Sequence, residues 1–176
     1  MANSLLRSVW SMQVLAGFAL SLCVVGSSST AHAANNCPWL TEATASGLIG
    51  GEAAGSFTSA AGTQPAVCTF TQKSEGAVRT LTITVELSTE PHARMVSVAQ
   101  ACGAGAQPLN AIGNEAVYCS ADLRRGEFGE RAVGRVRNQV FTIDLNSTMK
   151  DDPILTRDAL ISRIYTAAEQ VAGNLF

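Results

Sequence analysis

Histidine is almost absent from this 176-residue chain, which has two. One of them, His32, lies in a leader-like stretch, so His92 alone remains for the rest of the chain. A Ser-His-Asp or Cys-His centre needs an imidazole held between nucleophile and acid. His92 falls in the first turn of an expected helix, where the positive end of the helix dipole disfavours imidazolium, and it reads as a surface residue. The GxSxG, HExxH and P-loop patterns are missing too, which removes the commonest hydrolase, zincin and nucleotide-binding signatures. No catalytic residue, cofactor site or metal site is assigned.

Clustered cysteines are also lacking. Cys37, Cys68, Cys102 and Cys119 are spread without CxxC spacing, and one histidine cannot complete a zinc set. An even number of dispersed cysteines in an exported domain instead implies disulfides, and four cysteines allow three pairings. The expected pairs are Cys37 with Cys68 and Cys102 with Cys119, each tying a helix end to a strand of its own half. Loops of this size contribute about 3 to 4 kcal/mol each in the chain-entropy model.

Export is read from the beginning of the chain. Arg7 and the amino terminus supply positive charge, Val14 to Val25 an apolar run, and Ala31-His32-Ala33 an A-x-A cleavage site. The expectation is a cleavable signal peptide over 1–33 and a single domain over 34–176. An uncleaved anchor would need about 20 apolar residues, and Gln13 interrupts the run when it is extended backwards. A lipoprotein is a poorer match, because Cys23 follows a bulky Leu22 and Cys37 lies beyond the apolar run. Such a protein is secreted or periplasmic and touches the membrane only through its signal during export.

Without residues 1–33 the chain keeps 11 basic and 14 acidic side chains, a net charge of −3. Nucleic-acid binding calls for a basic domain and is excluded as a class. About 140 residues can bury one ordinary core.

The pattern predicts helix, three strands, helix, three strands, helix. A short first helix begins at Pro38, with Leu40, Ala43, Gly47 and Leu48 on one face, and stops at Gly50-Gly51. Strands are expected over Glu52 to Ser59, Ala66 to Gln72 and Val78 to Ser88. In the third, Arg79, Leu81, Ile83, Val85 and Leu87 alternate with Thr80, Thr82, Thr84 and Glu86. Thr89 caps a second helix carrying Met95, Val98, Ala99 and Cys102, and Ala104 to Pro108 reads as a loop. Further strands are expected over Glu115 to Ala121, Arg131 to Arg137 and Gln139 to Asn146. A final helix starts at Asp152-Pro153 or Thr156, with Leu160, Ile164, Ala167, Val171 and Leu175 as its stripe. The fold class is α+β: an antiparallel sheet of about six strands with helices packed on it. Leu48 to Ala53 and Ala111 to Ala116 share Ile, Gly, Glu and Ala just before a three-strand set, which suggests an αβββ pseudo-repeat plus the C-terminal helix.

The phrase Ile112-Gly113-Asn114-Glu115-Ala116, a cysteine soon after it, the stretch Asn138-Gln139-Val140-Phe141 and the closing amphipathic helix carry a resemblance. The chain resembles secreted and lipoprotein domains of unknown function in actinobacteria, and is similar in outline to the extracellular sensor domain of PknH-type kinases. That resemblance implies a PsbP-like fold and a sensor-like role. Membrane anchoring is not implied, because the chain departs from the lipoprotein members at the lipobox.

Two residue groups remain to be weighed. Glu52 and Glu115, at matching places in the suggested repeat, read as residues shaping the turn into a strand rather than as an acid pair. In Arg131 to Arg137, alternation puts Arg131, Arg135 and Arg137 on one face with Val133, and Ala132, Gly134 and Val136 on the covered side. Arg124 and Arg125 lie in the preceding turn. These arginines are either a solvated face neutralised by Glu127, Glu130 and Asp144, or an anion or partner patch. Asn146-Ser147-Thr148 is a glycosylation sequon, meaningful only on a eukaryotic secretory route. The expected function is an exported, non-enzymatic, sensor-like binding domain for an envelope or extracellular ligand or protein. A carboxylate-dependent extracytoplasmic hydrolase and a structural envelope partner are the alternatives; a concave site holding an acid of raised pKa would favour the hydrolase.

Overall fold

The computed structural model describes residues 36–62, 64–74, 76–121 and 128–176. The expected signal peptide over 1–33 lies outside the described residues, as do Arg124, Arg125 and Glu127. Among the described residues no helix is long and apolar enough to cross a membrane.

Seven antiparallel strands form one sheet: β1 Ala54–Thr58, β2 Ala66–Ser74, β3 Ala77–Leu87, β4 Gln107–Pro108, β5 Glu115–Ala121, β6 Phe128–Val136 and β7 Gln139–Ser147. Their order across the sheet is β1-β2-β3-β7-β6-β5-β4. Two three-strand meanders therefore meet where β3 lies beside β7, with Leu81 opposite Leu145 and Ile83 opposite Ile143. The seventh strand, β4, falls where a loop is expected; Gln107 and Pro108 pair with Tyr118 and Val117 at the sheet edge, where a proline costs no ladder bond.

One face of the sheet carries the main core. Phe70, Leu81, Ile83, Phe141, Ile143 and Leu145 meet the buried stripe of α3 (Arg157–Leu175), all five expected residues of which are buried. Thr156 caps α3 by accepting a hydrogen bond from the Ala159 N–H at 3.3 Å. Phe141 crosses directly over Gly134, where a Cβ would stand 2.5 Å from its ring, so only glycine fits that position.

Helix α1 (Glu42–Ile49) packs on the same face. It starts at Thr41 rather than Pro38, because the Thr41 hydroxyl accepts from the Thr44 N–H at 3.1 Å. Its buried residues are Ala45, Leu48 and Ile49, while Ala43 and Gly47 are exposed. Gly50, at φ 75°, ends it as expected.

Helix α2 (Pro91–Ala99) lies on the opposite face, where Met95 covers Val133 and Val140. Glu90, not Thr89, is its N-cap. Cys102 falls beyond it, in the 3₁₀ segment η1 (Gln100–Gly105). The first half runs αβββ, whereas the second inserts η1 and β4 between its helix and its three-strand meander, and the two leading helices occupy opposite faces. Cys37 is joined to Cys68 and Cys102 to Cys119, the expected pairs, with Cα separations of 5.6 and 5.5 Å.

Candidate functional site

The arginines of β6 are individually engaged. Arg131 donates to Asp144 on β7 through two nitrogens, at 2.6 and 3.1 Å. Arg135 pairs with Glu115 on β5, directly across the ladder, and the same carboxylate oxygen lies 2.6 Å from His92 Nδ1. Hydrogen bonds from Arg135 first, and His92 second, hold Glu115 below the usual carboxylate range. Val133 between them is buried under α2, so the face that the arginines share is partly covered.

Arg137 is not in the strand. With Asn138 it forms the two-residue β6–β7 turn at φ 54°, its N–H donates to Asn114 Oδ1 at 2.7 Å, and its guanidinium sits 5.7 Å from the centre of the Phe176 ring. Glu52 is exposed before edge strand β1, with four strands between it and β5, so the two equivalent glutamates do not meet.

Glu130, expected to neutralise the arginine face, lies on the other side of the strand. A strand alternates, so Glu130 shares its side with Ala132, Gly134 and Val136, beneath α3. It is 2 % exposed. One carboxylate oxygen accepts from the Ser120 hydroxyl at 2.9 Å across the β5–β6 pair. The other, Oε2, is buried without a partner among the described residues. Burial pushes the carboxyl pKa up, against the opposing pull of Ser120 and of the positive charge on Arg157.

A cavity of ≈ 380 Å³ opens at this carboxyl, lined by Gly105, Gln107, Tyr118, Cys119, Ser120, Glu130, Arg157 and Ile161. Its cause is local. The strand β4 is two residues long because η1 ends at Gly105, so β5 beyond Tyr118 has no β4 partner. The Cys102–Cys119 bond ties η1 to β5 beside the gap, and the first two turns of α3 bring Arg157 and Ile161 to it. Arg157 is exposed, and no hydrogen bond or ion pair engages its guanidinium among the described residues. A larger trough of ≈ 760 Å³ runs along β1 and β2, but its polar lining is exposed or half-exposed, so water already serves it.

A second buried acid lies on the same face. Asp152, 2 % exposed, accepts from Arg79 at 2.7 and 2.9 Å, from the Ser147 hydroxyl at 2.6 Å, and from the N–H groups of Ile154 and Leu155 at 2.8 and 3.2 Å. Burial works to raise its pKa, but these five donors prevail and hold it far below the carboxylate range. Asp152 therefore locks the entry to α3 onto β3 and β7 and is not itself the first residue of the helix. Ser147, in the sequon, is fully buried by the same bond.

Among the described residues no three His, Cys, Asp or Glu side chains gather as a metal would require. No family model matches the chain, and neither a curated protein nor a solved structure matches it.

Proposed function

We propose that this is an exported, disulfide-stapled, sensor-like domain that binds a small polar ligand in the cavity between the β5 edge and the start of α3. The observation that carries this reading is Glu130, a residue lining a cavity whose Oε2 is buried without a partner among the described residues. Leaving such an atom unsatisfied costs about 1–3 kcal/mol, and sites that bind ligands are where that cost is recovered. Two disulfides, the leader-like residues at the start of the chain and the resemblance to actinobacterial sensor domains support an extracytoplasmic place of work.

A heteronuclear NMR screen of small polar compounds tests it. Shifts concentrated at Gln107, Tyr118, Ser120, Glu130 and Ile161 are expected. Shifts confined to the α2 face, or none with any compound, would overturn the cavity as the site.

The hydrolase reading draws on the same residue, since an acid whose pKa is raised by burial suits proton donation. A two-carboxylate mechanism asks for a partner acid several ångströms away. Among the described lining residues Glu130 is the one carboxyl, which favours binding over hydrolysis.

A further inference from the structure

Building on that reading of the cavity, we infer that its ligand is a small zwitterion, an α-amino acid whose ammonium meets the Glu130 carboxylate and whose carboxylate meets Arg157.

Glu130 and Arg157 line one cavity and carry opposite charges, yet they form no ion pair with each other within 4.0 Å. They are near enough for Arg157 to act on the Glu130 titration. Each is therefore incomplete in a different sense. Among the described residues Glu130 has an oxygen without a donor, and none accepts from the Arg157 guanidinium, which is exposed. A ligand bearing a cation alone would face Arg157, and one bearing an anion alone would face Glu130. A ligand carrying both charges on neighbouring groups answers both walls, and the desolvation cost of each charge is offset by its partner on the wall.

The surroundings fit the remainder of such a molecule. Arg157 occupies the first turn of the 19-residue α3, where backbone N–H groups and the helix dipole favour a carboxylate. Arginine also binds a carboxylate with two parallel hydrogen bonds. Ile161, one turn further along α3, and Tyr118 on β5 supply apolar surface for a side chain, while Gln107 offers an amide at the mouth. The volume is at the low end of the range for ligand sites, about 300–1,000 Å³, which suits a molecule of this size.

The ammonium requires an ionised Glu130, so binding releases a proton at pH values where the buried acid is still neutral. Affinity then increases as the pH rises through the Glu130 pKa. Among the described residues the titratable groups facing it are Arg157 from α3 and Tyr118 from β5; η1 and β4 contribute Gly105 and Gln107, which do not titrate.

Isothermal titration of the full chain as recovered from an expression host decides the matter, with each common amino acid in turn and with acetate and methylammonium as single-charge probes. At least one amino acid is expected to bind about tenfold or more tightly than either probe. Glu130→Gln and Arg157→Ala should each weaken it about tenfold or more with the melting temperature retained, and Arg157→Lys should keep part of the affinity. Absence of binding by every amino acid at millimolar concentration would overturn the ligand class, and so would acetate binding as tightly as an amino acid. Binding untouched by Glu130→Gln would overturn the site. The NMR screen separates these failures from failure of the cavity itself, because other compounds would still shift its lining residues if only the ligand class were wrong.

Discussion

Asp152 and Glu130 are two acids on one face of one sheet, both 2 % exposed, and they have opposite fates. Among the described residues Asp152 meets five donors and stays ionised, whereas Glu130 meets one and is pushed toward its neutral form. Burial is equal, so burial does not distinguish structure from site. The number of donors within reach does. A fully answered carboxylate is a clamp, whereas a partly answered one beside a cavity is a vacancy in the hydrogen-bond network that a ligand can complete.

The largest effect expected from breaking this contrast comes from Asp152→Ala, which strands the Arg79 guanidinium, 4 % exposed, without its acid. Removing one partner of a buried pair costs about 3–5 kcal/mol. Urea denaturation at neutral pH measures it, and a loss below about 1 kcal/mol would show that the clamp is dispensable.

The pH profile of stability sharpens the contrast next, because the two acids act in opposite directions. The folded-state pKa of Asp152 lies below its unfolded value of about 3.9. Its contribution is present above that pH and is lost as the pH falls through the folded pKa. The folded-state pKa of Glu130 lies above its unfolded value of about 4.3. Its contribution is full below that pH and declines as the pH rises through the folded pKa. Unfolding free energies measured from acid to neutral pH should therefore show a smaller acid-side fall in Asp152→Asn, with the part due to Glu115 remaining, and a smaller decline as the pH rises in Glu130→Gln. An unchanged profile in either variant would contradict the corresponding shift.

A smaller effect is expected from Glu130→Met. Exchanging a buried, half-satisfied acid for an apolar side chain of similar length should leave stability within about 1 kcal/mol of the parent or raise it. A loss of 3 kcal/mol or more, the size expected for a clamp, would place Glu130 with Asp152 as scaffold.

The smallest effect belongs to the outer face. His92 and Arg135 share Glu115 in a cluster whose side chains remain 68, 25 and 31 % exposed in that order. A double-mutant cycle on His92→Ala and Glu115→Gln should return less than about 1 kcal/mol, as exposed pairs do. A larger coupling would mark that cluster, rather than the cavity, as the organised polar site.

Much of the fold was legible because its signals are local. Alternation located β3, β5 and β7, the period of 3.6 located α3, and cysteine spacing within each half led to the correct pairs. The same alternation, carried two residues back from Ala132, puts Glu130 on the covered side and could have revealed it. Its acidic character instead led to its being grouped with the neighbouring arginines. The short strand β4 was not legible, since two residues ending in proline have no period and pair only because β5 lies beside them.

By itself, the sequence determined which elements form, which strand faces are apolar and which cysteines are close enough along the chain to pair, because each depends on neighbours within a few turns or one hairpin. Tertiary structure alone decided that α1 and α2 lie on opposite faces, that Asp152 meets Arg79 73 residues away, and that Glu130 and Arg157 border one gap. Those outcomes depend on which polar groups find partners after the chain has closed, and a partner across the sheet leaves no periodicity in the sequence to announce it.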